Sequence, residues 1–593
     1  MLITLAIWLY STLICYLAGQ ATLTLVSRFF SPETPAPPWP LLCLLGAATL
    51  TTGLGYAWLW LPINGLVYSL VACFLASYML WKRPFGHYRK AGWRSGLPQK
   101  SGRIHGLMLA ILTLVFVTIW LRGTQLPRLN DTGGYHAPMI EWIRHYAIVP
   151  GLANLNYRFG FNNSWFLLNA FFAFLLPGTP LPDGQPGLPS PWHGINGWLL
   201  LMGIAYAVTI WQKKPLAWLW AGFMAGLLLV FHWTLASPTP DLPAQLYAGL
   251  VIFLWLDSDG FRAKPLGLEA WLCLLFGLAA MTTKLSTVTV LILPALVLFR
   301  ALQHREWRFL TIAITTIVIG TGYWWVGNVI LTGYLFYPTL TPLADLFSVD
   351  WKVPRYLIEQ GLFNLADGTK TGYSGATWRV WAWVPHWFIT RPPLEQAMAI
   401  LLAALPIMAF LGQKNTQNQL SYSRFWALIT ALIGVAFWFL LAPDLRFGAA
   451  SILLLLLLIY GSLIQRITVF LSTERRQFFG YLIAIGLITC LLFAAIKRES
   501  ISWLFPAPYP NPPLRTVTLG SQTLYIATDR TDVAHGIRGY WSNCFAAPLP
   551  CAPYLPPGLN MRGETQGEGW RTNLPQRRTV PSPSPTERGA TLE

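Results

Sequence analysis

The stretch RLNDTGGYHAPMIEWIRHYAIVPGLANLNYRFGFNNSWFLLNAFF, just after an apolar run, holds the residue types best suited to proton transfer. Asp131 stands near its start, Gly133 and Gly134 allow close backbone approach, and His136, Glu141, Arg144 and His145 follow on an amphipathic stretch. A carboxylate fixed at such a place can serve as a general base toward a hydroxyl. Asn130 or Asp131 is equally placed to cap the helix GYHAPMIEWIRHY, and the two roles are compatible.

Asp241, in SPTPDLPAQLY, opens a later apolar run, where the helix dipole favours an anion and capping competes with a chemical role. Lys284 interrupts GLAAMTTKLSTVTVLILPAL. It lies either in a tight turn between two spans or in the interior, and a cation at membrane depth is a functional candidate unless it snorkels to headgroups. Asn328 and Tyr337 in GNVILTGYLFYP, and Asp444 and Arg446 in APDLRFGAA, stand where apolar runs end. The planar fork of Arg446 suits a phosphate, a pairing with Asp444, or lipid headgroups.

The elements that must position these residues are membrane helices. With 54% hydrophobic and only 11% charged residues, and a mean hydropathy of +0.47, the composition is far from the soluble norm of about 25% charged. Apolar runs near 1–27, 40–61, 63–81, 105–121, 193–211, 216–233, 242–256, 267–283, 285–299, 309–331, 395–412, 425–442, 447–465 and 478–496 predict about fourteen spans. The first lacks a basic leader and is too long for a signal-peptide core, so it is expected to stay in the membrane. The 30 Trp and 23 Tyr suit headgroup belts, though so many rings must also line internal surfaces.

Orientation follows from basic loops. KRPFGHYRKAGWRSGLPQKSGR carries seven basic residues and no acid, marking it as cytoplasmic. Alternation then puts Lys213, Lys214, Arg262, Lys264, Arg300, Arg305, Arg308, Lys414, Arg424, Arg466, Arg475 and Arg476 in inner turns. Both termini and the large loops 122–192 and 332–394 fall on the outer side, with every candidate residue above. The apolar NNSWFLLNAFFAFLL is too short to cross and is expected to re-enter or lie in the interface. The net charge of +18 needs no nucleic acid, because about half of the 41 basic residues are already explained as inner-loop markers.

Cys15, Cys43, Cys73, Cys273 and Cys490 fall inside apolar runs and read as small core residues. Cys544 and Cys551, in the outer-side CFAAPLPC, are expected to form a disulfide, since a metal pair would need further ligands. RTVTLG and QTLYIAT predict a small sheet-containing domain at about 497–561, with residues 562–593 disordered by composition.

The ordered series of motifs resembles the GT-C superfamily of membrane glycosyltransferases, which use polyprenyl-phosphate sugars. The acid after an early span, the TPD at Asp241, the GLAAMTTKLS run at Lys284, GNVILTGYLFYP and PDLRF carry the likeness over roughly 105–465. NDTGGYH, FNNSW and CFAAPLPCAPYLPPGL bring the chain closer still to a group of bacterial Trp-rich polytopic membrane proteins with a GT-C-like core. The resemblance implies an all-α polytopic bundle, with helices and a basic cytoplasmic loop at 1–104, a GT-C-like core at 105–496 and an extracytoplasmic tail. It implies Asp131 as catalytic base, and His136, Glu141, Asp241, Lys284, Asn328, Tyr337 and Arg446 as substrate-binding residues. The expected partners are membrane lipid, a polyprenyl-linked sugar donor and a glycan or lipid acceptor, in the bacterial inner membrane. Asn130 stands where many of these enzymes have a second acid, so no obligatory divalent metal is expected. A polysaccharide polymerase or ligase and a transporter or flippase of lipid-linked glycans are the alternatives, the absence of internal repeats weighing against the latter.

Overall fold

The computed structural model describes residues 2–30, 37–82, 102–127, 129–176, 190–192, 194–211, 213–262, 265–370, 380–408, 421–467, 512–528, 543–545, 547–573 and a few positions between 486 and 509. Most of the basic loop at 82–103, with Lys264, Lys414, Arg475, Arg476, Cys490, nearly all of the expected span 478–496 and the tail from 574, lies outside them.

The chain is mostly helical. In order it forms α1 (Leu2–Val26), α2 (Trp39–Trp58), α3 (Gly65–Lys82), α4 (Gly102–Gly123), α5 (Ala137–His145), α6 (Trp165–Phe171), α7 (Ile195–Ile210), α8 (Ala217–Phe231) and α9 (Asp241–Asp257). There follow α10 (Leu268–Thr283), α11 (Ile292–Gln303), α12 (Trp307–Thr332), α13 (Arg355–Thr369), α14 (Val380–Thr390), α15 (Pro393–Ala403), α16 (Tyr422–Leu441) and α17 (Leu445–Ile467). Each expected span up to residue 465 overlaps a helix among the described residues. Among the described residues six helices are long and apolar enough to cross a membrane: Leu2–Phe29, Trp39–Trp58, Gly106–Gly123, Leu285–Gln303, Trp307–Thr332 and Tyr422–Leu441. Shorter apolar helices, α3, α7, α8, α10, α15 and α17, pack among them.

α9 explains how short helices belong to such a bundle. Every residue from Asp241 to Leu256 is buried, and the helix packs against α8, α10, α16 and α17. A helix apolar on all sides must be surrounded, and this one is enclosed by protein. α1 and α2 approach closely because Gly19 and Gly46 face each other's backbones: an added Cβ would fall 2.0 Å from Leu42 O and 1.7 Å from Cys15 O. Small residues at such crossings let dispersion contacts replace the hydrophobic effect that lipid does not supply.

The two ends of α9 carry different polar groups. At its C-terminal end Lys214 pairs with Asp257 and lies 3.3 Å from Glu269, and Ser423 donates to Asp259. At about 1.5 Å per residue, this 17-residue helix separates that cluster from Asp241 by roughly 25 Å. Lys214, expected in an inner turn, and Asp241, expected outside, therefore occupy opposite ends of the bundle.

The expectation for Cys73 changes. Cys73 is exposed on α3, unlike the buried Cys15, Cys43 and Cys273, because it points away from the bundle. NNSWFLLNAFFAFLL yields only the seven-residue α6, wholly buried against α2 and α5, followed by β1 (Phe174–Leu176) paired with β2 (Ser190–Trp192). Trp142, Trp165, Trp198, Trp220, Trp255 and Trp324 are fully buried, so many indoles line internal surfaces.

The C-terminal region is a small β unit. β3 (Leu514–Leu519) and β4 (Gln522–Ala527) form an antiparallel hairpin, and β5 (Cys551–Ala552) joins β4 in parallel. Structure continues past 561, contrary to the expected boundary. β6 (Leu559–Met561) pairs with β7 (Trp570–Thr572), Trp570 is fully buried, and Arg562 binds Asp350. Those two anchors order residues that composition alone marks as polar coil.

Candidate functional site

The Asp131 turn is wound loosely. Residues 132–136 form one π-helical turn that runs directly into α5, with Asp131 itself in helical conformation at its start. Its side chain makes no capping hydrogen bond, which leaves the carboxylate for other partners. Such turns recur at functional sites because they re-aim side chains out of helical register.

Those partners come from far along the chain. Arg158 Nη1 donates to Asp131 Oδ1 at 2.8 Å, and Arg446 Nη1 lies 3.8 Å from Asp131 Oδ2. Arg446 also reaches Asp241 Oδ2 at 3.5 Å and grips Asp444 at 2.9 Å. Lys284 pairs with the other oxygen of Asp241, and Thr239 donates its hydroxyl to Asp241 Oδ2 at 3.0 Å. The Lys284 ammonium rests 3.8 Å from the centre of the Phe447 ring, with the Arg446 guanidinium 5.2 Å from the same ring. Three carboxylates thus meet three cations, two of them over the Phe447 ring, as burial of charge demands.

Local structure supplies each member. Asp241 is the first residue of α9, whose N-terminal dipole favours the anion. α10 ends at Thr283, and Lys284 takes an extended backbone, φ −159° and ψ 125°, before the 3-10 helix Leu285–Leu291. Lys284 therefore sits at a break in the helix, mostly buried. Asp444 and Arg446 lie at the junction of α16 and α17, where Asp444 Oδ1 accepts the backbone N–H of Arg446 at 3.1 Å. Arg158 is the second residue of a short 3-10 turn, Tyr157–Phe161. The Asn156 side chain ties that turn to the Asp131 turn by accepting from Arg158 N and donating to Gly134 O, both at 3.1 Å.

The loops are stitched together below the charges. Thr132 and Ser237 share a hydroxyl hydrogen bond of 2.6 Å, and the Asn196 amide donates to Ser237 O at 2.8 Å and Thr239 O at 2.9 Å. Trp165 in turn donates to Asn196 Oδ1 at 2.7 Å.

Electrostatics define the resting state. Burial raises the proton affinity of Asp131, but Arg158 and then Arg446 outweigh it and hold the carboxyl below its usual range. Asp444 is drawn down to about 2, its burial overcome by Arg446. His136 is pushed down to about 3 by burial, which outweighs the attraction of Asp131, so the ring is neutral. It packs against Tyr135 and Phe166, and its Nδ1 has no hydrogen-bond partner among the described residues. Asp131 is the most accessible of the three acids, its side chain 27% exposed against 2% for Asp241.

The fold thus brings Asp131, Asp241, Lys284 and Arg446 together, with His136 behind Asp131. It does not bring the others into the charged cluster. Glu141 is committed to Arg144 at 2.8 Å one turn along α5. Asn328 accepts from Asn162 at 3.0 Å and donates to Leu335 O, and Tyr337 donates to Tyr157 O at 2.8 Å. Both brace the 157–163 segment that carries Arg158, and neither reaches the carboxylates. Arg158 itself escaped the sequence reading, since an isolated arginine between aromatic residues carries no spacing signal; its lack of a nearby acid was the one available hint.

Cys544 and Cys551 are joined as a disulfide. Among the described residues, no three His, Cys, Asp or Glu side chains gather as a metal site. No curated protein and no solved structure matches the chain. Residues 1–453, which include every charged member of the cluster, match the family described as a domain of unknown function, DUF8201, and the chain belongs to that family.

Proposed function

We propose that this chain is an inverting membrane glycosyltransferase that moves a sugar from a polyprenyl-phosphate donor to a surface glycan or glycolipid. The single observation that carries this reading is the convergence of Asp131 with Asp241, Lys284, Arg158 and Arg446 at one end of the bundle. A partly exposed carboxylate beside a bank of partly buried cations is what a phosphate-leaving displacement needs.

In this mechanism Asp131 removes the proton of the acceptor hydroxyl. The oxygen attacks the anomeric carbon from the face opposite the phosphate. The bond to the phosphate oxygen breaks, and its electron pair departs with the lipid phosphate, stabilised by Lys284, Arg446 and Arg158. The resting Asp131 is a weak base because two arginines hold it. A donor phosphate competes for those arginines, so its arrival raises the proton affinity of Asp131 and couples base strength to donor binding.

The same reading takes the bundle as about fourteen spans in a bacterial inner membrane, with both termini and this site on the periplasmic side. It assigns no obligatory metal. Polymerase or ligase chemistry would share the donor and differ in acceptor. Replacement of Asp131 by Asn, with protein level and membrane insertion checked, is expected to abolish the dependent glycan in a mass-spectrometric glycome. Unchanged glycan from that variant removes the proposed base.

A further inference from the structure

Residues beyond the family-matched 1–453 touch the Asp131 turn directly. The backbone N–H groups of Cys544 and Phe545 both donate to Gly133 O, at 2.9 and 3.1 Å, and Asn543 Nδ2 donates to Asn130 Oδ1 at 2.8 Å. The contact leaves no slack: a Cβ on Gly133 would lie 2.7 Å from both Asn543 Cβ and the Phe545 ring. Phe545 packs on Ala137, the first residue of α5, with Tyr509. Asp131 is thus flanked by two residues, Asn130 and Gly133, that the C-terminal unit holds.

The holding segment is short, and the disulfide fastens it. Cys544 lies between Asn543 and Phe545, and its partner Cys551 is in β5, paired with β4, where Tyr525 N–H also donates to Pro550 O at 2.9 Å. The rest of the unit is anchored on the same face of the bundle. Trp570 N–H donates to Pro150 O at 2.9 Å, Tyr146 donates to Gln566 at 3.1 Å, and Arg562 meets Asp350 at 2.8 Å. The cross-link therefore ties Asn543–Phe545 to a fixed sheet, and without it those residues regain conformational freedom that opposes their three hydrogen bonds.

We propose that the Cys544–Cys551 loop is a positioning element of the Asp131 site, which is fully assembled only while the disulfide is formed. The inference takes from the proposed sugar transfer only the chemical task of the turn. The coupling itself is tested without turnover.

The experiment uses the full chain in lipid nanodiscs and follows amide hydrogen exchange in residues 130–136. A water-soluble phosphine is the reductant: it takes oxygen from water and becomes the phosphine oxide, while the S–S bond accepts two electrons and both water protons to give two thiols. Reduction, verified by thiol counting, is expected to speed exchange in 130–136 by at least about tenfold, leave α9 unchanged, and reverse on reoxidation. The double variant Cys544→Ser/Cys551→Ser reaches the same state without reagent access, and Asn543→Ala, which keeps the disulfide, is expected to give a smaller increase confined to the same turn. Unchanged exchange in 130–136 in the double variant overturns the proposal, as does an equal rise throughout the bundle. Either failure leaves the sugar-transfer reading standing, because that rests on the glycan of Asp131→Asn.

Discussion

Arg446 Nη1 stands 3.8 Å from Asp131 and 3.5 Å from Asp241, so one guanidinium joins a loop early in the chain to the start of α9. The Arg446 side chain is only 13% exposed and reaches three carboxylates, Asp444 most closely. Removing one partner of a buried pair leaves the other charge uncompensated, at about 3–5 kcal/mol.

Arg446→Met is therefore expected to destabilise the protein by that order. Arg446→Lys should recover part of the loss, since it restores charge without the planar fork. Thermal unfolding of both variants in nanodiscs decides this; equal stability of Arg446→Met and the parent would show that the cluster contributes little to the fold.

Asp131→Asn keeps the shape and an oxygen acceptor for Arg158. It should cost about 10²–10⁴ in rate through loss of the base, with unfolding temperature changed far less than by Arg446→Met. The measurement is sugar release from a polyprenyl-phosphate donor in reconstituted membranes.

His136 links stability to pH. Its folded pKa, about 3, lies below the ordinary value of 6.5, so the folded protein refuses a proton that the unfolded chain accepts. The resulting contribution is fully present above pH 6.5 and is lost as pH falls toward 3, by up to about 1.4 kcal/mol per pH unit. Between pH 7 and 5 the parent is expected to lose more stability than His136→Gln, and parallel curves would refute the assignment.

Tyr337→Phe removes the hydroxyl that Tyr157 O accepts at 2.8 Å. The loss of one buried hydrogen bond, about 1 kcal/mol, should loosen the turn that presents Arg158. In a donor-dependent assay the expected signature is a raised KM with kcat nearly preserved. A selective fall in kcat would instead put Tyr337 in the chemical step.

Gly133→Ala tests the closeness of the C-terminal unit. The new methyl would press on Asn543 and Phe545 at 2.7 Å, with overpacking of about 1–3 kcal/mol. Limited proteolysis near residue 543 is expected to quicken while the bundle stays resistant.

The sequence by itself determined the helical bundle, because apolar runs of membrane length admit little else, and the β hairpin, because RTVTLG and QTLYIAT favour extended backbone on either side of a turn. It also marked Asp131, Asp241, Lys284 and Arg446, since charges at the ends of apolar runs stand out against their surroundings. Tertiary structure alone decided which of the marked residues meet. Glu141, Asn328 and Tyr337 looked equivalent to the others, yet they turn to local partners, while the unmarked Arg158 supplies the shortest contact to Asp131. Local pattern records burial and helix ends, but which loops share one end and face one another is set by how helices pack, and that information is spread over the whole chain. For the same reason the C-terminal unit, outside the family-matched residues, could be read as a small domain but not as the wall against which the Asp131 turn rests.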